Sequence, residues 1–348
     1  MGFDIREETF EQAADEVAAV LNETREHPIH EKRSEWLYRN NPDGAAVLWT
    51  VRDTDTGQLA GFTVALPRRM LVEHQPRTCW NCADFSIRPK FRTLGVAIKL
   101  RRAAKMGVDE GRVDFLYANP NERMEVIHAK VGHQPVGRMI RHARVLRSAT
   151  YLGDRLKSRA VGTLAGGIVD PLLGLSQRIR TPRATYHTRL LEATGFDERF
   201  DELFEQAAAG LPIVGVRDRR YLQWRYADNP IYESEVLVAE EGDRLRGYLV
   251  FRVEDGVGHI KDLFPPGDPH VARDLLAAAY RIGRRSGLIS LSTSVLEGSP
   301  LSPALRENGF RPRSDGSRMF AYAADDRPWH DAVTRSDSWF MIEGDRDV

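Results

Sequence analysis

The chain has 348 residues, 42% hydrophobic and 29% charged, enough for two hydrophobic cores at roughly 100–200 residues per domain. Lys and Arg number 50, as do Asp and Glu, so net charge offers no argument for a nucleic-acid partner. No apolar run approaches the ~20 residues that span a bilayer, and the acidic opening MGFDIREETF has no apolar signal segment, so a cytosolic protein is expected.

Residues 9–21 carry an amphipathic helix pattern, with Thr9 and Gln12 spaced as a capping box. WLYRNNP follows at 36–42, and its pattern returns as WRYADNP at 224–230, with Trp36/Trp224, Tyr38/Tyr226, Asn41/Asn229 and Pro42/Pro230 in register. After the first copy, AAVLWTVRD and QLAGFTVALP read as a hairpin through Asp-Thr-Gly. After the second, SEVLVAEE and RLRGYLVFRV read as a hairpin through Gly-Asp. A further strand with an aspartate follows each pair, CADFSI with Asp84 and HIKDLF with Asp262. The two cysteines, Cys79 and Cys82, fall in the first of these strands. Positions i and i+3 of a strand point to opposite faces, so two unrelated buried thiols are expected, and no metal site.

Each half then turns helical. Ala97, Leu100, Ala104 and Val108 recur at helical spacing, as do Val271, Leu275, Ala278 and Ile282. A short strand (VDFLYA, LISLSTS) and a short helix ending in glycine (HAKVGH, LRENGF) follow. One plan, β-α-α-β-β-β-α-β-α-β-β, is thus written twice. The expected fold class is α/β (α+β), two tandem units at 1–147 and 189–324, each a mixed, mostly antiparallel sheet flanked by helices. A partly helical linker spans 148–188 and a tail 325–348. The linker mixes apolar residues with Lys157, Arg159, Arg178, Arg180 and Arg183. Packing across both units is favoured there over membrane contact through 155–183, because stable anchoring takes two signals.

The halves diverge after the aspartate strand. In the first, Arg92-Thr93-Leu94-Gly95-Val96-Ala97 lies between a strand end and a helix start. A helix N-terminus offers unsatisfied N–H groups and partial positive charge to a phosphate, and Gly95 lets the backbone approach it. This run resembles the pyrophosphate loop of the GCN5-related N-acetyltransferase superfamily, [Q/R]-x-x-G-x-[G/A]. The preceding IRPKFR is similar to that family's V-x-P-x-[YF]-R strand exit. NERMEVIHAKVGH is similar to its N-x6-Y-x3-G-F stretch, with Asn121 and Gly132 in place, His128 where the family has Tyr, and His133 where it has Phe. The second loop, FPPGDPHVARDLL, has no such pattern; Pro265, Pro266 and Pro269 remove amide donors, and Leu305 stands at the His128 position. Tandem members with one degenerate copy, the mycothiol-synthase-like and polysaccharide-associated groups, are similar in plan, and WFMIEGDRDV resembles the ending of the latter.

The resemblance implies an acyl-CoA co-substrate, most simply acetyl-CoA, held by the first half alone through Ser86, Ile87, Arg88, Arg92, Thr93, Leu94, Gly95, Val96, Ala97 and Asn121. The acyl group would pass to a small polar amine, such as an amino sugar or a biosynthetic intermediate. Main-chain amides of Ser86 to Arg88 would polarise the carbonyl. Asp84 would accept the amine's proton, directly or through water, although Asp262 in the second copy equally suits a structural carboxylate in both. His128 would protonate the departing thiolate, or else occupy a helix face with a backbone partner; a thiolate can also leave unaided. Glu31, Glu35, Tyr38 and Asn41 are expected at the acceptor. A FemAB-type aminoacyl transferase and a non-catalytic acyl-CoA sensor are the alternatives.

Overall fold

A computed structural model describes residues 2–26, 29–147, 183–191, 195–313 and 316–347. Most of the 148–188 linker, with its basic apolar segment, lies outside the described residues.

The first half runs β1 (Phe3–Glu8), α1 (Phe10–Thr24), β2 (Val47–Asp53), β3 (Leu59–Val72), β4 (Gln75–Ile87), α2 (Leu94–Asp109), β5 (Phe115–Ala118), α3 (Glu122–Lys130) and β6 (Gln134–Val145). The second contributes β7 (His187–Leu190), β8 (Ile213–Gly215), β9 (Glu235–Glu241), β10 (Arg244–Glu254), β11 (Val257–Phe264), β12 (Ser290–Leu296), β13 (Arg311–Pro312), β14 (Arg318–Ala323) and β15 (Trp339–Phe340). Its main helices are Glu198–Ala208, Pro269–Arg285 and Leu301–Glu307. The capping signal at Thr9 works as read: the Thr9 amide donates to Gln12 Oε1 at 2.9 Å, so α1 starts where the sequence places it.

One mixed, mostly antiparallel sheet runs through the molecule in the order β1-β2-β3-β4-β5-β14-β6-β12-β11-β10-β9-β7. Its centre departs from the sequence reading, which ended each half on two strands of its own. Residues 134–145 form one long strand instead. β14, from the end of the chain, inserts between β5 and β6, pairing Phe320 with Ala118 on one side and Arg318 with Arg138 on the other. β6 in turn pairs with β12, from Ser290↔Val145 to Leu296↔Met139. Each half therefore covers an edge that the other would leave unpaired, and an unpaired edge is a liability in water.

The repeated heptapeptides meet at this junction. Both form a turn closed by an i→i+5 bond, Asn40 N to Glu35 O at 3.1 Å and Asp228 N to Gln223 O at 2.9 Å. Trp36 Nε1 donates to the Trp224 carbonyl at 2.8 Å, and Trp224 Nε1 donates to the Trp36 carbonyl at 3.0 Å. The rings stack with centroids 5.2 Å apart. Each copy thus satisfies the other's indole donor, which a buried Trp needs.

One apolar cluster spans both halves under α1 and the helix Pro269–Arg285. A second lies beneath α2 and includes Cys82; a third, around Trp339, includes Cys79. Both cysteines are buried free thiols on different faces of β4. Among the described residues, no helix is long and apolar enough to cross a membrane.

Candidate functional site

β4 and β5 pair in parallel at Cys79↔Phe115, Trp80↔Leu116 and Asn81↔Tyr117, and then part. β4 continues to Ile87, while β5 ends at Ala118. Along the other edge of β4, Ala83 pairs with Val64 and Phe85 with Thr63, which leaves Asp84 as the extra residue of a β-bulge. The bulge twists β4 away from β5 at the point where the gap opens.

The Arg88 amide donates to the Ala60 carbonyl on β3 at 2.9 Å. Antiparallel pairs alternate in bonding, so the amides of Ile87 and Phe85 face away from β3 and into the gap. This corrects the expected donor set. Ser86 and Arg88 turn their amides to β3, whereas those of Ile87 and Phe85 face the gap. Ser86 Oγ is engaged with Thr24 Oγ1 at 3.2 Å, and the Arg88 side chain lies 3.2 Å from Glu23.

At its far end the gap meets the start of α2. Thr93 caps the helix, accepting from the Val96 amide through its side chain, and Arg92 Nε ties the loop back to the Ile87 carbonyl at 2.9 Å. Helix geometry leaves the amides of Leu94 and Gly95 without intrahelical partners. Val96 and Ala97 are buried against the sheet. Gly95 is not in the left-handed region, and a Cβ built on it would meet no atom within 4 Å. Glycine in a helix costs about 1 kcal/mol relative to alanine. Neither backbone conformation nor packing requires glycine here, and the space beside it is open. Asn121 is exposed and caps α3 by accepting from Met124 N at 3.1 Å, a structural task rather than a cofactor contact.

Unpartnered polar atoms gather around the gap. Asn119, directly after β5, is buried with neither side-chain amide atom bonded. Arg101 projects from α2 with 2% exposure; its Nη2 donates to Thr63 Oγ1 at 3.1 Å, while Nε and Nη1 have no partner among the described residues. Its guanidinium lies 5.4 Å from the Phe85 ring centre. A buried cation with so few acceptors is costly unless a ligand supplies one. Sequence reading passed over Arg101 because an arginine on a helix ordinarily faces water.

His128 is in a different position from the expected acid. It is buried, and its Nδ1 shares a 2.7 Å hydrogen bond with His133 Nδ1. Burial first, then the charge of Arg101, holds both imidazoles well below their usual titration range. A neutral imidazole whose Nδ1 is already engaged by His133 is poorly placed to act as the general acid expected of His128.

Asp84 is equally committed. Oδ1 accepts from Arg25 at 2.6 Å, and Oδ2 accepts from Arg33 at 2.7 Å and from the Tyr38 hydroxyl. Burial would raise its pKa, but Arg33, with Tyr38 and Arg25, outweighs burial and leaves the carboxyl below the ordinary range. Asp262 has the same character, bonded to Arg217 Nε at 3.1 Å and Tyr248 OH at 3.0 Å. An aspartate locked to guanidinium in both halves is a brace, and the base role read for Asp84 is corrected accordingly. Asp84→Asn should lower stability by ~3–5 kcal/mol by removing the buried negative charge that Arg33, Arg25 and Tyr38 share. The folded pKa is depressed, so this contribution is present above pH ~4 and fades as pH falls through the folded value. Chemical denaturation at pH 7 and pH 3 checks both magnitude and sign.

In the second half, β11 and β12 also part after three pairs, Val257↔Ser290 to His259↔Ser292. The tail fills that gap. Ile342 bridges Val295, and Leu296 N donates to the Met341 carbonyl at 3.1 Å. Glu343 lies 3.5 Å from Lys261, and a Cβ on Gly344 would stand 2.6 Å from the Lys261 carbonyl, so only glycine passes. The helix after β11 is capped by Asp268, which accepts from His270 N and Val271 N and already supplies an anion there. The proline-rich loop is one obstacle to a ligand; the chain's own tail is the larger one.

Beyond Gly344 the tail crosses to the first half. Asp345 is bonded to Arg217 Nη2 at 2.5 Å, and its carbonyl accepts from Tyr117 OH at 2.9 Å. Asp347 follows, its charge felt at Asp84 and Cys82 on the bulged stretch of β4. Burial, then the like charge of Asp84, raises its carboxyl to about 6, against the opposing pull of Arg346, Arg33 and Arg225. It lines a cavity of about 200 Å³ with Arg225, Tyr226, Lys261 and Arg346. The residues expected at the acceptor are not all brought together. Tyr38 is turned onto Asp84, Glu31 is exposed, and Glu35 and Asn41 border a separate open cleft of about 640 Å³ between the repeated turns.

No family model and no curated protein sequence matches the chain. Solved structures do match in fold. A GCN5-related N-acetyltransferase from Anabaena variabilis superposes with a TM-score of 0.66 at 14% identity, over 92% of this chain and 73% of that one. One from Kribbella flavida gives 0.61 at 15% identity, over 96% and 74%. Saccharomyces cerevisiae N-myristoyltransferase with bound myristoyl-CoA gives 0.60 at 12%, over 97% and 84%. The likeness to these structures is one of fold.

Proposed function

We propose that the chain transfers an acyl group from acyl-CoA, most simply acetyl-CoA, to a small polar amine. The observation that carries this reading is the gap between β4 and β5, lined by free amides and ending at a helix start whose glycine has open space beside it. The amides of Leu94 and Gly95 with Arg92 would hold the pyrophosphate, and those of Ile87 and Phe85 the extended arm and carbonyl. The co-substrate supplies the activated thioester. Arg101 would stabilise negative charge on the departing sulfur, so no dedicated acid is required. Asp347, its carboxyl raised to about 6 and lining the cavity, would take the proton that the amine must lose.

Only the first half is read as a CoA site, since the second gap holds the tail. Calorimetry should find one CoA per chain, and wild-type enzyme should release thiol from acetyl-CoA with some member of an amine panel. Two CoA per chain would sink the asymmetry. Binding without thiol release on any amine would favour the sensor reading instead.

A further inference from the structure

The cavity behind Asp347 carries a charge pattern that acyl transfer by itself does not require. Arg225, Arg252, Lys261 and Arg346 line it, against two carboxylates, Glu343 and Asp347. Glu343 is shared at long range, 3.5 Å from Lys261 and 3.6 Å from Arg346. The Nε atoms of Arg252 and Arg346 are buried without a partner among the described residues. Arg252 is stacked 3.7 Å over the Tyr232 ring, which fixes the plane of its donors.

The backbone aims these groups. The β10–β11 ladder pairs Phe251 with Ile260 and Val250 with Asp262, so Lys261 is the extra residue of a bulge, as Asp84 is in β4. Burial lowers the pKa of the Lys261 ammonium; Glu343 opposes this, and the charges of Arg252 and Arg225 push it further down. Arg252 Nη2 also donates to Glu254 at 3.0 Å, outside the lining; within the lining four cations still face two carboxylates, and an anion placed among them would be attracted. At about 200 Å³ the space is smaller than the roughly 300–1,000 Å³ typical of ligand pockets, which limits the occupant to a small body.

We infer that this cavity binds the phosphate of a small phosphorylated amine and presents its amino group to Asp347. The inference rests on the acyl-transfer reading and names its acceptor class. A carboxylate is planar and is served by one guanidinium fork. Cations arriving from β10, β11, the second repeated turn and the tail suit a tetrahedral group with oxygens facing several directions. The second half, its own gap closed by the tail, then contributes the acceptor's anion site rather than a second thioester site.

Equilibrium binding to the full chain saturated with CoA tests this, using glucosamine 6-phosphate and glucosamine 1-phosphate against glucosamine, with inorganic phosphate as competitor. At least one sugar phosphate should bind tighter than glucosamine by about tenfold or more, the scale of charged hydrogen bonds, and phosphate should compete. Lys261→Met and Arg252→Met should each erase that preference while CoA affinity is kept. If Lys261→Met fails to fold, the partly exposed Arg252 decides. Equal binding of the three sugars, or a preference that survives both substitutions, overturns the proposal. A phosphate preference without thiol release would count against acyl transfer and leave the cavity assignment standing. Thiol release from amines with no phosphate preference would do the reverse.

Discussion

Gly95→Asp is expected to fold normally and to lose about 10³-fold in CoA affinity. A Cβ at this position meets no atom within 4 Å, so the substitution creates no clash within the protein. An acidic side chain in the first turn of α2 is favourable to the helix dipole, and aspartate is at least as good a helix residue as glycine. Folding therefore offers no reason for a defect. Binding does, because the new carboxylate would stand where the pyrophosphate is proposed to lie. Two unit charges 4 Å apart repel by ~4 kcal/mol at an effective dielectric of 20, or about three powers of ten. Calorimetry on a variant with unchanged Tm is the measurement. Wild-type affinity would remove the α2 start as the cofactor site.

Asp347→Asn is expected to lower kcat by ~10²–10⁴-fold, the range for a positioned general base, with CoA affinity unchanged. In the wild type, kcat/KM should rise as pH increases through about 6, where Asp347 loses its proton. Burial raises this value most, Asp84 adds to it, and Arg346, Arg33 and Arg225 lower it. The variant should lose that acid limb, which a merely structural residue would leave in place. Stability gives an independent check of opposite sign from Asp84. The folded carboxyl titrates above its unfolded value of ~3.9, so ionising it costs stability as pH rises from ~4 to ~6. Asp347→Asn should therefore be no less stable than wild type at pH 7, while Asp84→Asn is clearly less so. Equal turnover in Asp347→Asn and wild type would move the base role to another group.

Local signals were enough for the elements and for the strand exit and helix start at which the cofactor is proposed to bind. The Thr9–Gln12 spacing, the hairpin turns and the Ala97-Leu100-Ala104-Val108 stripe act within one or two turns of chain, so they can be read without knowing what lies across the sheet. The same holds for Arg92 to Ala97, where a strand exit, a capping threonine and a glycine are contiguous. The likeness of the two heptapeptides was also legible, though not that each indole would find its acceptor in the other copy.

Chemistry that depends on burial and on distant partners was decided by tertiary structure. Asp84 looked like a base because a carboxylate stood at the right strand position; Arg25 from the end of α1, with Arg33 and Tyr38 from the segment of the first repeated turn, turn it into a brace. His128 looked like an acid because free imidazole titrates near neutrality, whereas burial and the charge of Arg101 push its titration well below that range. Asp347 lies 263 positions from Asp84 in a tail with no periodic pattern, and only packing brings its charge to bear on the bulged strand. The exchange of β6 and β14 and the tail's entry between β11 and β12 have the same cause. Strand partners are chosen by which edges remain open once both halves have folded, and no stretch of sequence carries that by itself.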